Sequence, residues 1–160
     1  MTKKQKITSI ILYILIGATL IFIWSNSMRS IEESLNTSTS FTEILTPFLG
    51  VFFGRDNVTD HLVRKMAHFG EFGLLGIELS ILLICRNRVK LQSIINCLFL
   101  ALSAAVMDES IQILFERGSQ VQDVLLDFSG AFTFISLLII SYFIICGIKA
   151  TKQKKAAKKQ

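Results

Sequence analysis

Leu62–Lys90 reads LVRKMAHFGEFGLLGIELSILLICRNRVK. Its middle, Met66 to Ile84, is long and apolar enough to cross a bilayer, which takes about 20 residues of helix. Arg64, Lys65, His68 and Glu71 crowd its first turns, and the basic turn Arg86-Asn87-Arg88-Val89-Lys90 closes its far end. This one stretch therefore specifies a membrane-crossing helix, a polar end to that helix, and a tight return into a following one.

Working outward, three more stretches have the length and apolarity to span: about residues 7–24, 91–108 and 124–148. The chain of 160 residues is 51% apolar and has a mean hydropathy of +0.55, far from the soluble globular range. The expected fold is an all-α membrane protein: one domain over 1–160, built as a four-transmembrane-helix bundle with spans 7–24, 66–84, 91–108 and 124–148. The first span is followed by Trp24-Ser25-Asn26 rather than by a small-residue cleavage pattern, so it reads as an uncleaved helix.

Basic residues set the expected orientation. Lys3, Lys4 and Lys6, the turn 86–90, and the Lys-rich tail 149–160 hold 12 of the 17 Lys and Arg residues and no acidic ones. The positive-inside rule then makes both termini cytoplasmic. Met28 to Lys65 and the turn Glu116 to Asp123 face outward. The net charge of +5 is accounted for by these topogenic residues and by a tail suited to anionic lipid, where each Lys contributes about 1 kcal/mol. Nucleic acid is not an expected partner.

The first external segment is mixed. Ser34 to Thr42 is rich in Ser and Thr, whereas Phe41, Ile44, Leu45, Phe48, Leu49, Phe52 and Phe53 recur at helical spacing around Pro47. That pattern predicts a helix lying in the outer interface; a flap packed over the bundle mouth fits it equally well. Gly70, Gly73 and Gly76, with Ala101, Ala104 and Ala105 and then Gly130 and Ala131, offer small surfaces for close packing in lipid. Cys85, Cys97 and Cys146 show no metal-ligand spacing and read as small buried hydrophobes. No metal and no cofactor is expected from any motif.

The ionisable residues are the informative exception. Charges inside lipid cost a few kcal/mol each and persist where they pair, meet water or work. On the second span Arg64, Lys65, His68, Glu71 and Glu78 form a stripe at three-, four- and seven-residue intervals. Asp108, Glu109 and Gln112 occupy the outermost turns of the third, and Asp123, Asp127 and Gly130 stack on the fourth. Hairpin counting places all of these at the outer end, with Glu71 and Asp127 roughly 10 Å inside the boundary. One shallow pocket made of Lys65, His68, Glu71, Asp108, Glu109, Gln112, Arg117, Asp123 and Asp127, reached by Asn26 from the first helix, is the expected site. Acids beside a His and several cations can hold a phosphate and move a proton near it. The same groups can instead satisfy one another: Lys65 or Arg117 with Asp123 or Asp127, and His68 with Glu71. Glu78 lies apart, past the bilayer middle, and serves either a proton relay or a hydrogen bond to a neighbouring helix.

Taken together, LVRKMAHFGEFGLLG (62–76) and MDESIQILFERGSQVQDVLLDFSGA (107–131) resemble the VanZ-like family of bacterial membrane proteins. The strongest elements are Lys65 with His68 and the ordered set Asp108, Glu109, Gln112, Arg117, Asp123, Asp127, Gly130. Two departures stand out. Ile111 sits where the family commonly has His, and Phe115-Glu116-Arg117-Gly118 replaces a Pro-Gly-Arg turn.

The resemblance implies a cell-envelope role in a bacterial plasma membrane, with lowered susceptibility to lipoglycopeptides such as teicoplanin as the leading phenotype. Expected partners are a membrane lipid or lipid-linked cell-wall precursor, or the glycopeptide antibiotic itself. One alternative is a membrane enzyme acting on a polyprenyl-phosphate or phospholipid headgroup, but no nucleophile motif assigns a catalytic residue. The other is a proton-coupled transporter, motivated by Glu71 and Glu78 on one stripe and small at four helices unless the protein forms a homo-oligomer.

Overall fold

The computed structural model describes residues 1–29, 42–44, 46–47, 50–51, 54, 58–115, 118 and 120–157. Four helices account for most of them: α1 Lys3–Ser27, α2 Asp60–Cys85, α3 Leu91–Leu114 and α4 Val121–Ala157. All four are long and apolar enough to cross a membrane, and no strand occurs among the described residues. Each helix overruns its apolar stretch. Backbone hydrogen bonding continues past the hydrocarbon-compatible residues, which puts the polar residues before Met66 and after Asp108 on ordered helical turns.

Local chemistry sets the helix ends. Thr2 and Gln5 form a reciprocal capping box on α1, with Gln5 N–H donating to Thr2 Oγ1 at 3.2 Å and Thr2 N–H to Gln5 Oε1 at 2.8 Å. Thr59 Oγ1 caps α2 by accepting from Leu62 N–H at 3.2 Å. The α2–α3 return is a Schellman turn. Asn87 adopts φ 52° while its N–H donates to Ile84 O and Arg88 N–H to Leu83 O, at 3.1 and 2.9 Å. Asn tolerates this left-handed conformation better than branched residues do.

Bonds between helices give their directions. Cys85 Sγ lies 3.8 Å from Gln5 O, Thr19 bonds Glu78, and Asn26 bonds Glu71. So α1 and α2 are antiparallel. Trp24 meets Ala104, and Ser27 meets Asp108, so α3 runs with α1. Lys65 pairs with Asp123 and Gly130 abuts Phe69, so α4 runs with α2. One end of the bundle therefore combines the starts of α2 and α4 with the finishes of α1 and α3.

The α2–α4 interface is the most extensive, and small residues make it so. A Cβ on Gly76 would sit 2.6 Å from the Ala131 carbonyl oxygen, and one on Gly130 would collide with the Phe69 carbonyl oxygen. Ala101, Ala104, Ala105 and Ala131 are buried around Phe72, Leu75 and Leu79. This matches the small surfaces expected from the sequence, with one exception: Gly70 has no neighbour where a Cβ would stand. Large apolar side chains such as Ile14, Phe22, Phe99 and Ile144 are exposed, as suits a lipid-facing surface.

One further expectation changes. Cys146 is exposed, whereas Cys85 and Cys97 are half-buried; in a lipid solvent an outward thiol costs little. In the first inter-span segment residues 42–44, 46–47 and 50–51 are helical, while Phe41, Leu45, Phe48, Leu49, Phe52 and Phe53 of the expected interfacial helix lie outside the described residues. Thr42 Oγ1 donates to Asp60 Oδ1 at 2.5 Å, which ties this segment to the start of α2.

Candidate functional site

At the end where α2 and α4 begin, the helices part around a cleft of about 210 Å³. Its lining comprises His61, Arg64, Lys65 and His68 of α2, Glu109 and Gln112 of α3, Asp123, Leu126 and Asp127 of α4, and Gly118 with Gln120 from the α3–α4 connection. The nitrogen-bearing side chains of α2 fall on one face because His61, Lys65 and His68 are spaced four and three apart. The carboxylates of α4 share a face by the same spacing, Asp123 to Asp127.

Lys65 Nζ lies 3.1 Å from Asp123 Oδ1, both groups being partly exposed at the mouth. Deeper, His68 Nδ1 stands 3.7 Å from Asp108 Oδ2 and 3.7 Å from Asp127 Oδ1. The two acids are 0% and 1% exposed. Asp108 lies beneath the lining and is tightly held. Ser27 Oγ donates to its Oδ1 at 2.6 Å, and Gln112 Nε2 to its Oδ2 at 3.0 Å. Gln112 Nε2 also donates to Glu109 Oε1 at 3.1 Å. Glu109 and Gln112 are buried as well. Burial of so many acceptors is tolerated only where donors reach them; Ser27 of α1 and Gln112 of the same helix α3 supply donors to Asp108 and Glu109.

Of the expected site residues, Lys65, His68, Glu109, Gln112, Asp123 and Asp127 line the cleft, with Asp108 directly below. Asn26 and Glu71 do not line it. They bond each other, Asn26 Nδ2 to Glu71 Oε1 at 3.0 Å, and so fasten α1 to α2 beside the cleft. Glu71 is thereby turned towards α1, and His68 faces Asp108 and Asp127 instead of Glu71. Arg117 lies outside the described residues. Glu78 is remote from the cluster, ten residues beyond His68 or about 15 Å further along α2. Its Oε1 accepts from Thr19 Oγ1 at 3.0 Å, the helix-to-helix bond that was one of its two expected uses.

Arg64, Leu126, Gly118 and Gln120 of the lining had no place in the sequence-based site, nor did His61, Ser27 and Trp24. His61 continues the α2 stripe one turn outward, a signal available in its four-residue offset from Lys65. Ser27 follows Asn26 at the end of α1, but only packing aims its hydroxyl at Asp108. Trp24, readable as an interfacial anchor, instead packs inward and brings Nε1 within 3.5 Å of Ala104 O.

Four spanning helices with a buried, donor-supported acidic cluster under a cationic rim define a polytopic membrane protein with a polar cleft at one end of its bundle. The chain belongs to the VanZ/LLP1 family, whose model matches residues 10–144. That stretch contains every candidate residue from Asn26 to Asp127. No curated protein and no solved structure matches the chain.

Proposed function

We propose that this protein is a cell-envelope factor of a bacterial plasma membrane, with the cleft facing outward and both termini cytoplasmic. The cleft takes the phosphate-bearing headgroup of a lipid or lipid-linked envelope component, and this lowers susceptibility to lipoglycopeptides such as teicoplanin. The observation that carries the reading is the arrangement of His61, Arg64 and Lys65 around the mouth of a small cleft. Guanidinium and ammonium groups at such a mouth suit a phosphate that arrives from the membrane surface. Family membership and the concentration of Lys and Arg at the opposite end support the envelope role and the orientation.

Size favours a headgroup over the drug. Pockets for drug-sized ligands run to about 300–1,000 Å³, and a glycopeptide is larger than a typical drug. At about 210 Å³ the cleft suits a phosphate and its neighbouring groups, leaving the acyl or prenyl chain in lipid against the exposed apolar surface of the helices.

The test is teicoplanin and vancomycin susceptibility in a null strain expressing wild type, Lys65→Ala, Arg64→Ala or Asp127→Asn, with membrane levels quantified. Variants that accumulate normally and lose teicoplanin-selective protection support the reading. Equal protection against both drugs, or full protection by every variant, overturns it.

One observation favours an enzymatic version. His68 stands between two buried carboxylates, an arrangement suited to proton transfer at a headgroup phosphoester. Purified protein that leaves polyprenyl-phosphates and phospholipids unchanged, with and without divalent metal, removes this version and leaves the binding function.

A further inference from the structure

We propose that His68, Asp108 and Asp127 form a divalent cation site at the floor of the cleft, selective for a first-row transition-metal ion such as Zn²⁺ or Mn²⁺. One ligand atom from each of these residues lies within 4.8 Å of the other two. His68 Nδ1 is 3.7 Å from a carboxylate oxygen on either side. That separation is too long for a hydrogen bond. It is close to the roughly 3.4 Å expected between two atoms each about 2.1 Å from a shared tetrahedral ion.

A second observation points to a missing ligand. Asp127 is 1% exposed, and its Oδ2 is buried without a hydrogen-bond partner. An ionised oxygen in that state carries a large desolvation cost, and a cation bound at the cluster removes it. The neighbouring ammonium does not serve, because Lys65 Nζ is engaged by Asp123 at the mouth. Asp108 is meanwhile prepared as a ligand: Ser27 and Gln112 hold its two oxygens in place, the kind of outer support that fixes ligating carboxylates.

The donor set decides the class of ion. One imidazole nitrogen with two carboxylates suits a transition metal better than Ca²⁺ or Mg²⁺, which prefer all-oxygen shells. Three protein ligands leave a coordination position directed to the cleft, where water or an anionic oxygen completes the shell. Metal binding in lipid-free detergent is independent of what the cleft takes from the membrane.

The experiment uses full-length protein with a histidine-free affinity tag, purified in detergent, stripped with chelator, and dialysed against Zn²⁺ or Mn²⁺. Metal content is measured by mass spectrometry, and the melting temperature is measured with and without ion. The expected result is one ion per chain in wild type and in Glu78→Gln, with a raised melting temperature. Affinity falls at least tenfold in His68→Ala and in Asp127→Asn. Stripped wild type that is monodisperse yet takes up no ion overturns the site, even if a variant fails to fold. Equal uptake by wild type and His68→Ala also overturns it, since the ion is then held elsewhere.

Discussion

The two ends of the bundle differ in what holds their polar groups. The end carrying the α2–α3 return is shaped by devices close in sequence, the Thr2–Gln5 capping box and the Asn87 Schellman turn, while its contacts between helices are peripheral: Arg86 to Tyr13 and Cys85 to Gln5. The cleft end is held by contacts distant in sequence. Ser27 bonds Asp108, Asn26 bonds Glu71, and His68 faces acids from two other helices. Local devices define where helices stop. Remote pairs define which polar groups share a low-dielectric space, and a site needs the second kind.

The largest effect is expected where α2 and α4 touch. Gly130→Val forces a side chain into the Phe69 carbonyl oxygen, and overpacking of this kind costs about 1–3 kcal/mol or more. We expect loss of folded protein from the membrane fraction, read by quantitative blotting and gel filtration in detergent. The cleft should be lost with it, because its two walls are α2 and α4.

Removing one remote pair is the next largest effect. Ser27→Ala leaves buried Asp108 without its closest donor, at a cost of about 1–3 kcal/mol. Thermal denaturation should show a lowered midpoint, and antibiotic protection should fall along with it. At the other end, Asn87→Val places a branched residue at φ 52°, for about 1–2 kcal/mol. Here the midpoint should fall with protection intact per folded molecule, while Asn87→Gly stays close to wild type. A loss of protection in Asn87→Val at normal abundance would contradict the division between the ends.

The smallest stability change is expected at Lys65. Its ion pair with Asp123 is partly exposed, a kind worth about 0.2–1 kcal/mol. Lys65→Ala should leave the melting midpoint nearly unchanged while removing protection, which separates ligand binding from structural support. Glu78→Gln sharpens the same contrast. It preserves the acceptor for Thr19 and should leave both stability and protection near wild type, as expected of a helix-to-helix bond with no place in the cleft.

Much of the cleft was legible in the chain because its residues repeat at helical spacing on single helices. Lys65 and His68 on α2, Asp108, Glu109 and Gln112 on α3, and Asp123 and Asp127 on α4 each declare a face, and hairpin counting brings the faces to one end. The pairing between faces was not legible. Nothing in the local sequence distinguishes Glu71, which turns to Asn26, from His68, which turns to Asp108 and Asp127. The cation-sized cluster escaped for the same reason: its ligands come from three helices, so no short spacing exposes them.

The class of molecule, the four spans and the end at which polar residues gather follow from the chain's local patterning. Apolar length and helical periodicity are local properties, and a bilayer tolerates few other solutions for them. Only the tertiary structure decided which acid meets which donor, and that Asn26 and Glu71 serve as a fastening beside the cleft. It also decided that Asp108 and Asp127 are buried together. Those outcomes depend on helix rotation and separation, set by contacts such as Gly76 on Ala131 and Gly130 on Phe69, whose partners lie more than fifty residues apart along the chain.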